Sequence, residues 1–201
     1  MAQSQLQKVE LAPFNGCYKL VGDNFTEPNK WKKINNMDEK IEKLNQYLES
    51  EEYDDFYNLG NDIVFWVDWR ESDDAIIEYC EKCLKTTSLS AEMKQVSDNL
   101  ELTIKYENTI YTEKIVDRDR TIISLNEIIK PKYEIRFCKV SDGSDTLAFL
   151  PLANQQWQQL MEKYGEQKIN QCFEPINEDS VMFNKEYDFD FDNSDIILDL
   201  D

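Results

Sequence analysis

A chain of 201 residues with 41% hydrophobic and 12% aromatic side chains has the material for one folded core, which excludes a wholly disordered acidic polymer. Its 41 acidic against 22 basic residues give a formal charge of −19, a field that opposes contact with nucleic-acid phosphates or an anionic membrane. Histidine is absent, and most general-base, triad and zinc-ligand schemes go with it. The expectation is therefore a protein that is not an enzyme and carries no cofactor. No window approaches the roughly eighteen apolar residues of a membrane span, and the opening MAQSQLQKVELAPF lacks a charged region followed by an apolar run. Cys17, Cys80, Cys83, Cys138 and Cys172 are odd in number and scattered, as reduced thiols are, so a cytoplasmic location is expected.

Pro13, Gly16, Gly22 and Pro28 punctuate an opening segment whose CYKLV run, 17–21, reads as a short strand. Met37, Ile41, Leu44 and Leu48 recur at helical spacing and predict an amphipathic helix over 38–49, with Asn36 as its N-cap. Tyr53, Phe56 and Tyr57 suggest a further helical piece ended by Gly60. DIVFWVDW, 62–69, is β-branched and aromatic without helical period, which predicts a strand. Ser72 then caps a helix over 73–84, with Asp73 and Asp74 in the first turn, where the macrodipole favours anions. AEMKQVSDN, 91–99, reads as a short helix. Leu100, Leu102, Ile104 and Tyr106 alternate, and Glu107-Asn108 turns the chain into TIYTEKIV, a first hairpin. Ile122, Leu125, Ile128 and Ile129 form one stripe of a helix over 118–129, stopped by Pro131. YEIRFCKV and TLAFLPL flank Asp142-Gly143 as a second hairpin, and NQQWQQLMEKYG is a helix with Trp157, Leu160 and Tyr164 inward and Gly165 at its C-cap. The order from 100 to 165 implies an α+β fold: one antiparallel sheet built from two hairpins, with helices on a face. A single domain over 1–176 is expected, followed by an acidic, aromatic tail or edge strand over 177–201.

The negative charge is regional. Residues 49–74 hold ten carboxylates against Arg70, and 174–201 hold ten against Lys185, which leaves 21 acidic and 20 basic residues for the rest. Some of the first block is explained by helix starts. Within it, Glu51, Glu52, Asp54, Asp55 and Asp62 are dense enough for acid/base or two-metal work, but nothing in the sequence fixes their geometry. Cys80 and Cys83 form a CxxC inside a predicted helix. Without histidine or a second pair it offers at most half a zinc site, and Glu78 and Glu81 would raise the Cys80 pKa, so the pair reads as buried helix thiols. Asp188, Asp190, Asp192, Ser194 and Asp199 match an EF-hand spacing, yet Asn193 stands where glycine belongs and no exiting helix remains; no metal is assigned.

Carboxylates interleaved with Tyr, Trp and Phe suit a basic groove, replacing phosphates against Arg and Lys while the rings anchor. The contact set expected on this basis is Glu51, Glu52, Asp54, Asp55 and Tyr57 on the body, with Tyr187, Asp188, Phe189, Asp190, Phe191 and Asp192 on the tail. The plain alternative is that Phe65, Trp66 and Trp69 are core and their acids keep the surface soluble.

With its carboxylate-rich blocks, α+β layout and strand-to-helix run TLAFLPLANQQWQQL, the chain resembles the small acidic immunity proteins of bacterial toxin systems. Those are cytosolic antidotes that bind a cognate effector, often a basic nuclease, and block it. The likeness is of overall character and transfers no individual residue. It implies occlusion: the acidic surface steers onto the toxin's cleft and the aromatic anchors slow dissociation. Two further readings stay open beside it, a DNA mimic directed at a nucleic-acid-binding protein other than a toxin, and a carboxylate-based, metal-dependent enzyme.

Overall fold

Alternating apolar residues need a sheet with two faces, and this chain builds two such sheets. The computed structural model of the protein describes residues 7–10, 28–97 and 99–186, with side chains from Glu39 onward. In chain order the elements are β1 (Gln7–Glu10), α1 (Pro28–Ser50), α2 (Tyr53–Tyr57), β2 (Phe65–Asp68), α3 (Asp73–Leu84), β3 (Leu89–Val96), β4 (Asn99–Tyr106) and β5 (Thr109–Lys114). There follow α4 (Arg118–Ile129), β6 (Tyr133–Cys138), a 3-10 turn (Lys139–Ser141), β7 (Thr146–Ala153), α5 (Asn154–Tyr164), α6 (Glu166–Cys172) and β8 (Phe173–Pro175). One sheet has the order β1-β5-β4-β3 and the other β2-β7-β6-β8, every pairing antiparallel.

The α+β class and both hairpins are as expected, but the hairpins belong to separate sheets instead of one. Each already has its own flanking strands, β1 and β3 for the first, β2 and β8 for the second. Between the sheets lie α3 and α4. Nearly all of α4 is buried, polar residues included, as befits a helix covered on more than one side. Its Ile122, Leu125 and Ile129 share a core with Leu102 and Ile104 of the first sheet and Ile135, Phe137, Leu147 and Phe149 of the second. On the far face of the second sheet, Ala148, Leu150 and Leu152 meet Leu44, Leu48, Phe56, Trp157, Leu160 and Phe173. Strand β7 is therefore buried on both faces, which explains why TLAFLPL runs apolar without alternation.

Three local expectations change. Helix α1 begins at Pro28, so Asn36 lies inside it; proline suits a first helical position and nothing between 29 and 37 breaks the helix. Residues 91–96 are strand, not helix. Ala, Glu, Met, Lys and Gln are helix formers, but here they pair with β4 from Leu89↔Tyr106 to Val96↔Asn99, with Ser97 after the last pair at φ 56°. Ser72 does precede α3, but its hydroxyl makes no capping bond; the Asp117 carboxylate, by contrast, caps α4 from the Arg120 N–H at 2.8 Å. The CYKLV strand expected at 17–21 lies outside the described residues.

Beyond β8 the chain returns to α4. Met182 is buried in the core between the sheets, and the buried Asp119 carboxylate accepts backbone N–H bonds from Met182 (3.1 Å), Phe183 (2.8 Å) and Asn184 (3.2 Å), and one from the Asn184 side chain (3.2 Å). The start of the acidic segment is thus pinned to the body.

A second buried carboxylate is less well served. Glu113 of β5 accepts the Ser124 hydroxyl at 2.6 Å through one oxygen, and the other has no partner among the described residues. Burial raises its pKa above 4.5, Ser124 and Arg120 pull it down, and Asp73 pushes it up. The folded protein holds this proton more tightly than the unfolded chain does. Its contribution to stability is complete below 4.5 and is lost as pH rises through the raised folded value. Glu113→Gln is therefore expected to melt higher than the wild type at about pH 8, by roughly 2–4 °C for a gain of about 1 kcal/mol, and to lose that advantage toward pH 4. Melting curves across that range check it; a difference that does not change with pH would count against the buried anion.

Candidate functional site

The densest meeting of acid and aromatic side chains is the corner between α1 and α2. Helix α1 ends where the Glu51 N–H donates to Tyr47 O at 2.7 Å and Glu51 itself takes φ 57°. Phe56 is the anchor of α2: it is 1% exposed and packs edge-on against Tyr47 (5.2 Å) and Trp66 (5.7 Å). With Phe56 inward, Tyr53 and Tyr57, one turn apart, face out, 54% and 50% exposed. Their hydroxyls lie 2.6 Å apart, their rings 4.5 Å apart, and Tyr57 stacks on Trp66 at 5.3 Å and 19°. The hydrogen bond to Tyr53 raises the Tyr57 pKa. The result is a ladder of three rings, Tyr53, Tyr57 and Trp66.

The carboxylates around it have different duties. Asp55 turns back to α1 and accepts Gln46 Nε2 (2.7 Å) and the Ser50 hydroxyl (2.5 Å), a structural brace. Glu51 is paired with Lys168 of α6 at 2.6 Å. Glu49 is held by the Tyr164 hydroxyl (3.0 Å) and Lys163 (3.3 Å), and its carboxyl sits below the usual range for that reason. Glu52 and Asp54 are exposed and have no side-chain partner among the described residues. All five body residues of the expected contact set thus come together, but only Glu52, Asp54 and Tyr57 are open to a partner. Tyr53 belongs with them and was missed; its signal is the four-residue spacing to Tyr57 with an apolar residue between.

Further along the block, charge is largely used up within the fold. Asp62 pairs with Lys85 at 3.3 Å, Asp73 is buried against the Thr121 hydroxyl at 2.5 Å, and Asp68 grips the Arg70 guanidinium with two bonds of 3.0 Å, which lowers its pKa to about 2. The aromatic residues offered as core divide: Phe65 is buried, Trp66 half-buried, and Trp69 is 61% exposed with Arg70 lying 5.3 Å over its ring.

Cys80 and Cys83 are buried helix thiols, and burial raises both, Cys83 to about 11. Cys83 donates weakly to Asn61 O at 3.6 Å. Nearby, Lys40 donates to Pro151 O at 3.1 Å, and desolvation lowers its amine to about 8. Among the described residues no group of three or more Cys, Asp or Glu is arranged to hold a metal ion, and no helix is long and apolar enough to cross a membrane. The tail half of the contact set, Tyr187, Asp188, Phe189, Asp190, Phe191 and Asp192, lies outside the described residues, as does the carboxylate spacing from Asp188 to Asp199. Set against protein-family models, characterised proteins and solved structures, the chain matches none of them.

Proposed function

We propose that the chain is a non-catalytic acidic binding protein that neutralises a basic protein partner, acting in the cytoplasm as an immunity protein that blocks the active cleft of a cognate toxin. The observation that carries this reading is the ladder of exposed Tyr53 and Tyr57 on half-buried Trp66, beside the unpaired carboxylates of Glu52 and Asp54. An arginine or lysine side chain laid on such rings gains a cation–π contact and a charge-assisted hydrogen bond together. Rigid aromatic residues are also the residues that anchor protein interfaces, because they bury much area at little cost in side-chain entropy. The net charge of −19 adds long-range steering toward a basic cleft, so association is fast at low salt and slows as salt screens the field.

The test is capture of a basic protein from the source cell's lysate at low salt, followed by affinity measurement with the purified partner. The double variant Glu52→Lys/Asp54→Lys reverses the free charges and leaves Asp55 and Phe56 in place, so the corner still folds. It is expected to bind about tenfold to a hundredfold more weakly, roughly 1.4–2.7 kcal/mol. Equal binding by wild type and variant would remove the corner from the interface.

A further inference from the structure

Strand β3 stands at the end of its sheet, and no described strand pairs with its outer edge. Natural sheets protect such edges with proline, bulges, short strands, charged side chains or a covering helix or loop. This edge runs for eight residues, lacks proline, and pairs with β4 residue for residue without a bulge. Its single lysine is also compensated, because Glu92 and Lys94 lie on the same exposed face and pair with each other at 3.0 Å.

Glu107 N–H donates to Ser88 O at 2.9 Å, which sets the phase of the ladder just beyond Leu89↔Tyr106. Ladder bonds alternate along an antiparallel pair, so Ser90, Glu92, Lys94 and Val96 spend their backbone groups on β4. Leu89, Ala91, Met93 and Gln95 then point theirs outward.

We infer that this edge binds a second copy of the chain, β3 against β3 in antiparallel register, with Met93 facing Met93 of the partner subunit across the two-fold axis. Only a centre at Met93 sets Glu92 opposite Lys94 of the partner subunit and Lys94 opposite Glu92 of the partner subunit. Both contacts fall at non-hydrogen-bonded positions, where facing side chains come closest. A centre at Glu92 or Lys94 would oppose like charges, and a centre at Ala91 sets Glu92 against an uncharged serine. The chosen register is isologous, as a two-fold dimer requires, and merges two four-stranded sheets into one. The sheet also lies outside both acidic blocks, in the part of the chain where 21 acidic and 20 basic residues nearly cancel. Two copies can therefore meet here despite their net charge, with the α1–α2 corner left uncovered.

Sedimentation of the full chain over a range of concentrations tests this with Glu92→Lys, Lys94→Glu and the double exchange. Both side chains are well exposed, so each variant keeps its fold. The wild type is expected to dimerise. Each single variant sets like charges opposite one another twice per dimer and weakens association about tenfold or more; the double exchange restores it. An equimolar mixture of the two single variants is expected to form a heterodimer tighter than either forms alone. A wild type that stays a single chain at every concentration overturns the inference, and so does a dimer that neither single variant weakens.

Discussion

Replacing Trp157 by alanine is expected to destabilise the protein by about 3–5 kcal/mol, a large share of the roughly 5–15 kcal/mol that holds a domain folded. The indole is 1% exposed and carries three interactions at once. Its Nε1–H donates to Glu134 O at 2.9 Å, its ring meets Phe173 edge-on at 5.7 Å, and the Arg136 guanidinium lies 4.5 Å over its face. Arg136 is itself only 5% exposed, held by Glu134 at 2.9 Å and Asn170 at 2.8 Å. Alanine leaves a void in the core behind the second sheet, removes the indole's hydrogen bond to Glu134 O, and strips the covering from a buried cation. Trp157→Phe keeps most of the volume and a ring for Arg136, and is expected to cost only about 1–2 kcal/mol, largely the lost hydrogen bond. Urea unfolding separates the two variants: the midpoint falls in that order while the slope is unchanged. A loss below about 1 kcal/mol for alanine would mean that α5 does not seal this core.

What could be read from the chain divides along the range of the interactions involved. The Glu107-Asn108 turn, the isoleucine stripe of α4 and the Trp157 helix are written in neighbouring residues, and they fold as their spacing implies. The assignment of hairpins to sheets depends on β1, β2 and β8, which pair over long separations and leave no local mark. Strand β3 shows the same limit in reverse, since its helix-forming composition yields to the partner that β4 provides. At the candidate site, the corner itself was legible as a run of acids and rings. Which acids remain free was not, because that depends on lysines distant in sequence: Lys163 reaches Glu49 from 114 residues away, and Lys168 of α6, a helix with no clear sequence signal, takes Glu51. Trp69, half of a cation–π pair at the surface, looked like core because composition cannot tell which end of a strand leaves the interior.

Asp119→Ala is expected to release the segment that leads into the acidic tail, at a cost of about 2–4 kcal/mol. The carboxylate is buried on α4 and serves the N–H groups of three consecutive residues, Met182, Phe183 and Asn184, with the Asn184 side chain added. Such bonds to a charged acceptor are each stronger than neutral ones, and no neighbouring group replaces the lost oxygens. Asp119→Asn retains the size but halves the acceptor capacity and turns an amide toward donors, so it is expected to fall close to alanine. Hydrogen exchange provides the readout: the amides of Met182, Phe183 and Asn184 should exchange far faster in both variants while those of β7, buried on both faces, stay protected. The consequence for binding follows from preorganisation. Tyr187 and Asp188, the first tail residues of the proposed contact set, follow the pinned segment in sequence, so fixing Met182 to Asn184 lowers the ordering cost of bringing that part of the chain to a partner. If the tail is part of the interface, Asp119→Ala should weaken partner affinity by about threefold to tenfold and raise the dissociation rate, although it alters no contact residue. Faster exchange at Met182 through Asn184 with unchanged affinity would confine the interface to the α1–α2 corner and leave the Asp119 bonds a purely structural duty.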